Sequence, residues 1–551
     1  EIGAVAGTAD INGLETCRRV FHDYLRARLK DISQDVSFFG VESIEELPYI
    51  DHIGPHSGLY ERRLYYHSTR FKFVLTAMYY GQITRAAERV FPEVYTYCNF
   101  SPHPPMFGQQ MNHSDWFTLT RELGANTAWG EGWASGGGWG FVGHEVVSYY
   151  GAWVECAARR HNQPSGFYIV GTMGGADKKM FSLVARGIDQ IYLYAWGPRY
   201  IGAEGSNFWS ENKNIYYEIA RGTHALGPAD EIIAEGNRRQ SRVALLYNRS
   251  HEIWNGAYGG LQSDRLLTFM ALTHAHIPTD IILEEDLSDE SLAQYKVLYL
   301  QGFNLGRKHL AAVRRWVEKG GTLIGVAGTA IRDTYNNPTD EAEKLFGAKQ
   351  QLAGTSKGGW HPQALPKHEP IDSLKLKSSD LTPDLTLDVI GIKANLQPTT
   401  GKSVGTFSDG TCGAALNTIG QGKTLLLGIT PGHIYKGKSG GSSRYSLDLR
   451  PLIALPAERT LGEQDVTYSE PQTEICRFDH KTGIAITLSN FAHFQEPKER
   501  DVELTVKTDR KITRVTSSLK GSLEWSREGG SVKVKLKSPQ PVDVVVLRAG
   551  P

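Results

Sequence analysis

The sequence lacks the usual material for metal, thiol and phosphate chemistry. Its five cysteines (Cys17, Cys98, Cys156, Cys412, Cys476) are scattered and odd in number. No CxxC pair occurs, which argues against a structural zinc site and a dense disulfide framework. There is no phosphate loop, no GxGxxG fingerprint and no HExxH helix, so no cofactor or metal is expected. Charge of either sign is not in excess: 60 basic residues balance 60 acidic ones. That argues against nucleic acid or an anionic membrane as an obligate partner. No apolar run approaches the length of a membrane span. The chain opens at Glu1 without Met or a signal-like segment, and the expectation is a processed product or further residues upstream.

At 551 residues, two to four domains are expected. After two helical patterns (residues 17–30 and 61–90) a strand–helix rhythm sets in. Strand candidates are Glu93–Asn99, Thr127–Trp133, Gly166–Gly171 and Gly187–Trp196, with helices 116–123, 144–160, 178–186 and 212–224 between and after them. This alternation predicts parallel βα units, half of an eight-stranded barrel, over residues 1–240. Near residue 240 a doubly wound α/β pattern begins and runs to 456, with a polar insertion at about 335–400. Residues 457–551 alternate apolar and polar positions, as in a small antiparallel β-sandwich.

The chemistry centres on Thr127-Ala-Trp-Gly-Glu-Gly-Trp133 and the Ala-Ser-Gly-Gly-Gly-Trp139 that follows. One carboxylate, Glu131, lies between two tryptophans, and glycines on either side allow close approach of a ligand. Indole faces beside a carboxylate suit a sugar cleft, because pyranose C–H faces stack on them. The alternative is a strand end with two core tryptophans and a solvated Glu. Seven of the eleven tryptophans fall between 116 and 209, where about two are expected by length, which favours an aromatic cleft. Barrel sites sit at the C-terminal ends of strands. Asn99, Ser101 and His103 therefore join Glu131 as candidates, with Thr172, Trp196 and Arg199. Glycoside hydrolysis needs two carboxylates, about 5 Å apart for retention. Glu145 is the second carboxylate choice, although a Glu opening a helix usually serves only the helix dipole. His144 reads as a supporting hydrogen bonder, and Asp177 and Asp189 as structural or solvated. Cys98 near His103 reads as a buried structural thiol before a nucleophile.

The segments Arg242-Val-Ala-Leu-Leu-Tyr247, Tyr295-Lys-Val-Leu-Tyr-Leu300, Val313-Arg-Arg-Trp-Val-Glu-Lys-Gly-Gly-Thr-Leu323 and Gly420-Gln-Gly-Lys-Thr-Leu425, with the domain order, resemble the family 42 β-galactosidases of the (β/α)8 glycosidase clan. The resemblance implies a barrel, an amidotransferase-like trimerisation domain and a C-terminal β domain. It implies a homotrimer and an oligo- or polysaccharide substrate. Gly325–Thr329 holds no Cys, so the middle domain resembles an assembly domain. In the clan the acid/base Glu ends strand four and the nucleophile Glu ends strand seven. Glu1 aligns with the first. The strand-seven end here reads Gly171-Thr172-Met173, without a carboxylate, and Glu131 lies one strand earlier.

Three readings follow. In the first the protein is a β-galactosidase-like hydrolase, with Glu131 and Glu1 catalytic, Trp129, Trp133, Trp139 and Trp196 as sugar platforms, and Asn99, His103 and Glu145 binding substrate. In the second it is a carbohydrate-binding scaffold on a decayed hydrolase fold. In the third an upstream segment or a second chain completes its barrel.

Overall fold

A computed structural model describes residues 11–98, 115–132, 144–170, 174–194, 213–255, 260–360, 364–437, 445–492 and 500–550. The N-terminal part is helical. α1 (Glu15–Asp31) and the 32-residue α2 (Leu59–Val90) pack through Phe21, Leu25, Phe71 and Leu75. Leu64, Phe71 and Leu75 of α2 are buried, while Met78 and Ile83 farther along are exposed.

Three parallel strands follow: β1 (Ala128–Gly132), β2 (Ser165–Val170) and β3 (Gln190–Tyr194), in that order across the sheet. Helices alternate with them: α3 (Trp116–Arg121), α4 (Val146–Arg160), α5 (Ala176–Arg186) and α6 (Lys213–Leu226). Asp115 caps α3 by accepting from the Phe117 amide. The expected strand at 93–99 forms no ladder over its described residues. It runs beside the entry to β1, held by Thr127 N–H donating to the Thr96 carbonyl and Thr96 N–H to Asn126 Oδ1. A side chain has taken the place of a strand partner there.

The next sheet has a parallel centre: β15 (Gly422–Leu427), β8 (Thr322–Gly325), β7 (Val297–Leu300), β5 (Val243–Tyr247) and β6 (Thr279–Leu283), in spatial order. These strands are buried on both faces, which is why they read as continuous apolar runs. α7 (Gly260–His274) and α10 (Pro451–Leu461) pack on one face, α8 (Arg307–Glu318) on the other. The stretch read as a polar insertion extends this sheet antiparallel. β9 (Ala348–Thr355) through β12 (Ile392–Pro398) belong to it, their alternating burial fitting a half-exposed wing. Two antiparallel sheets close the chain. One contains β19 (Asp501–Lys507) and β23 (Ser531–Lys537). The other contains β17 (Thr473–His480), β18 (Gly483–Asn490) and β24 (Val542–Ala549). Alternate residues of both enclose a Val/Leu/Ile core.

Buried ion pairs tie these parts together. Arg249 pairs with Asp115 and with Glu285, which also takes Arg70 of α2 at 3.0 Å. Arg186 of α5 meets Glu474 of β17 at 2.7 Å, and Ser148 of α4 donates to the same oxygen at 2.6 Å. No helix among the described residues is long and apolar enough to cross a membrane.

Candidate functional site

Strand alternation sorts β1–β3 into two faces. Gly130 and Gly132 face α4: a Cβ on Gly130 would meet Phe167 at 2.6 Å and Val154 at 3.0 Å, and one on Gly132 would meet Val147 at 3.3 Å. Trp129 and Glu131 therefore belong to the other face. There Glu131 is in register with Tyr168, and Tyr168 with Tyr192. Glu131 is half-buried, next to last in β1 at its C-terminal end.

The wall beside it is built of tyrosine. Tyr97 stacks on Trp129 at 4.1 Å and 21°, and Tyr168 and Tyr192 meet the same indole at 5.0 and 5.1 Å. The Tyr97 and Tyr168 hydroxyls are 2.7 Å apart, and Tyr194 lies 5.8 Å from Tyr168. Tyr97 and Tyr192 remain 42 % and 52 % exposed, so this face is open where the helix-covered face is closed.

Trp129 does not serve as an open sugar platform. Its side chain is fully buried: it fills the space that Gly166 leaves, where a Cβ would come within 2.0 Å of the ring, and the tyrosines cover it. Trp116 and Trp153 are likewise core. Trp116 and Trp153 pack between sheet and helices and Trp129 beneath the tyrosines of the other face, so for these three the concentration of tryptophan reflects core packing, the alternative raised by the sequence. Glu1, Asn99, Ser101, His103, Trp133, Trp139, Thr172, Trp196 and Arg199 lie outside the described residues.

Glu145 is completely buried. Its Oε1 accepts from the Tyr445 hydroxyl at 2.6 Å, and burial raises its pKa against the opposing pull of Tyr445 and Lys436. Asp177 pairs with Arg221 at 2.6 Å and Asp189 accepts from Ser165 at 2.8 Å, both structural. The Cys98 thiol is pushed up to about 12 by burial, which keeps it protonated and inert.

Lys179 was not singled out by the sequence, since a lysine on a helix reads as solvated. It is fully buried, and its Nζ donates to the Val170 carbonyl at 3.1 Å and the Gly132 carbonyl at 3.3 Å. One ammonium thus ties together the C-terminal ends of β1 and β2, one residue beyond Glu131. The tyrosines do have a sequence signal: Tyr168 stands within an apolar strand, and Tyr192 and Tyr194 recur at the two-residue period of one face.

Among the described residues one group has metal-ligand spacing: Glu155, Cys156 and Asp280. Arg159 already pairs with both carboxylates, at 3.0 and 2.6 Å, and Arg238 with Glu155 at 2.9 Å. Guanidinium groups satisfy these acids, so the donor set does not fit a metal ion.

No protein-family model matches the chain, and no curated protein sequence matches it. Solved structures do. A catalytic mutant of the GH42 β-galactosidase Gan42B from G. stearothermophilus superposes with a TM-score of 0.67 at 14% identity, over 97% of this chain and 76% of that one. The cold-adapted β-galactosidase of Rahnella sp. R3 gives 0.67 at 12% identity, over 98% and 76%. An α-L-fucosidase isoenzyme 2 of Paenibacillus thiaminolyticus gives 0.59 at 14% identity, over 96% and 75%. The fold is that of GH42-type glycosidases. The chain spans about three quarters of the length of these structures.

Proposed function

We propose that the chain forms the carboxylate-bearing part of a glycoside hydrolase acting on a β-linked sugar, β-galactoside-like, with Glu131 as its principal catalytic carboxylate. The observation that carries the reading is the place of Glu131. It stands at the C-terminal end of a parallel strand, on the open face beside Tyr97, Tyr168 and Tyr192, in a chain with a glycosidase fold. A barrel-mouth carboxylate beside aromatic rings meets an oxocarbenium-like transition state with negative charge and holds the sugar by its apolar faces. The partner acid in this reading is Glu1. Glu145 is not taken as that acid in this reading, because its carboxylate is buried in a contact with Tyr445 of the doubly wound region. Trp133, Trp139 and Trp196 supply stacking faces, and Asn99 and His103 hydrogen-bond sugar hydroxyls. β1 and β3 each have an unpaired edge among the described residues. Further strands, from this polypeptide or another, complete the barrel wall in this reading, and the doubly wound region mediates assembly, as a trimer.

A second reading, carbohydrate binding without turnover, is favoured by one observation: the run after β2, Gly171-Thr172-Met173, has no carboxylate. Glu131→Gln decides between them. With aryl β-galactosides, loss of turnover by at least 100-fold with sugar affinity kept supports the hydrolase. Near-unchanged hydrolysis removes Glu131 from the mechanism, and binding without turnover in the unmodified protein supports the scaffold.

A further inference from the structure

The connection from β1 to α4 begins beside Glu131 and ends at His144 and Glu145. Both residues are buried. His144 occupies the space above Gly175, where a Cβ would come within 2.6 Å of its ring. Gly175 opens α5, just beyond β2, with φ +66°. Glu145 makes no capping bond to its own helix. Its carboxylate instead reaches Tyr445, 300 residues along the chain, at 2.6 Å. Tyr445 is itself fixed: it stacks on Tyr435 at 5.1 Å and 24°, meets His274 edge-on at 4.8 Å, and has the Lys436 ammonium over its ring at 4.6 Å. The Tyr435 hydroxyl pairs with His274 Nδ1 at 2.7 Å. A helix-opening Glu normally answers only the helix dipole. Here it is drawn into the doubly wound region by a site of four side chains.

We propose that Glu145 is a positioning residue that couples the doubly wound region to the glycosidase-like face: Tyr445 grips its carboxylate, Lys436 supplies the counter-charge, and together they fix the N-terminal end of α4, the helix packed against Gly130 and Gly132 on either side of Glu131. The catalytic consequence rests on the reading of Glu131 given above; the anchoring does not. The charged and titratable groups around Glu145 are Tyr445 and Lys436 from the doubly wound region, Lys178 from α5, and His144 beside it in the chain. Burial raises the Glu145 pKa and lowers that of Lys436. Acidification therefore neutralises Glu145 and removes the partner charge from Lys436, which loosens the anchor.

The test uses the full chain, with hydrogen exchange of residues 144–150 followed by mass spectrometry, beside turnover of an aryl β-galactoside. Tyr445→Phe removes the gripping hydroxyl and keeps the ring stack. Exchange in 144–150 is expected to rise about ten-fold or more while β17 and β18 stay unchanged. Glu145→Gln keeps an acceptor for Tyr445 and cannot titrate. Like protonated Glu145 it lacks the charge that Lys436 answers, so it keeps only part of the protection that Glu145→Ala loses, and it flattens the increase in exchange, corrected for intrinsic rates, that the unmodified protein shows on acidification. Unchanged exchange in Tyr445→Phe, or an equal rise everywhere, overturns the proposal. The exchange result needs no turnover. An inactive protein with the expected exchange keeps the anchor and loses the hydrolase, while an active one with unchanged exchange does the reverse.

Discussion

Replacing Lys179 by methionine removes an ammonium group from a place that solvent does not reach. Burial takes its pKa from 10.5 down to about 7, against a weak upward pull from Glu218. At 1.36 kcal/mol per unit, a shift from 10.5 to about 7 is on the order of 5 kcal/mol. The folded pKa lies below the unfolded one, so the native state holds fewer protons than the unfolded state between about pH 7 and 10.5. Stability from this group is therefore complete above pH 10.5 and is lost as pH falls through about 7. Methionine has no such dependence. It fills most of the same volume but leaves the carbonyls of Gly132 and Val170 without their donor, at about 1–3 kcal/mol each.

These two effects oppose each other at pH 6, where the lysine carries a buried charge, and the variant lies within about 2 kcal/mol of the parent. At pH 9.5 the lysine is neutral and still donates to both carbonyls. The parent then gains roughly 3 kcal/mol over its value at pH 6, and Lys179→Met falls behind by about that amount. The measurement is native-state hydrogen exchange of β1 and β2, because a chain with several cores does not unfold in one step. Parallel pH curves for the two proteins would refute the assignment of Lys179 as the buried ion that ties these strand ends.

Gly166→Ala places a Cβ 2.0 Å from the Trp129 ring. The indole must move into the tyrosine wall, and a loss of about 1–3 kcal/mol or more is expected. Unaltered near-ultraviolet circular dichroism and thermal stability would show that the wall has slack. Arg186→Met leaves Glu474 buried without its cation and costs about 3–5 kcal/mol. Limited proteolysis should then release the segment 466–550 early, and an unchanged digest counts against the pair as a tie between domains.

Much of this architecture is legible in the sequence because burial dictates residue type. Val243–Tyr247 and Val297–Leu300 read as buried parallel strands since both of their faces are covered. The segments 166–171 and 187–196 likewise contain β2 and β3. Three features were not legible. The segment at 93–99 has strand-forming residues, yet Asn126 takes the Thr96 amide that a ladder would need. Trp129 gives the same letter whether its ring lines a cleft or a core, and the glycine opposite, Gly166, decides for the core. Lys179 looks like a solvated helix residue and Glu145 like a second site carboxylate or a dipole partner, because their actual partners, the strand-end carbonyls and Tyr445, are set by tertiary structure.

Three of the ties that hold β1–β3 share one geometry. Arg249 reaches Asp115 just before α3, Arg186 joins α5 to β17, and Tyr445 grips Glu145 just before α4. All act through the helices, from the covered side of the sheet. The opposite side keeps its tyrosines exposed, and Glu131 is on that side. A site needs its reacting group on a rigid element, and a barrel site lies at the C-terminal ends of its strands, where Glu131 stands. Burying ion pairs costs desolvation and adds little net stability, so their concentration behind this one short sheet is better explained by positioning than by stability. Under the proposed role of Glu131, the doubly wound and β-sandwich regions do more than carry the sheet: they fix the helices behind the strand that bears it.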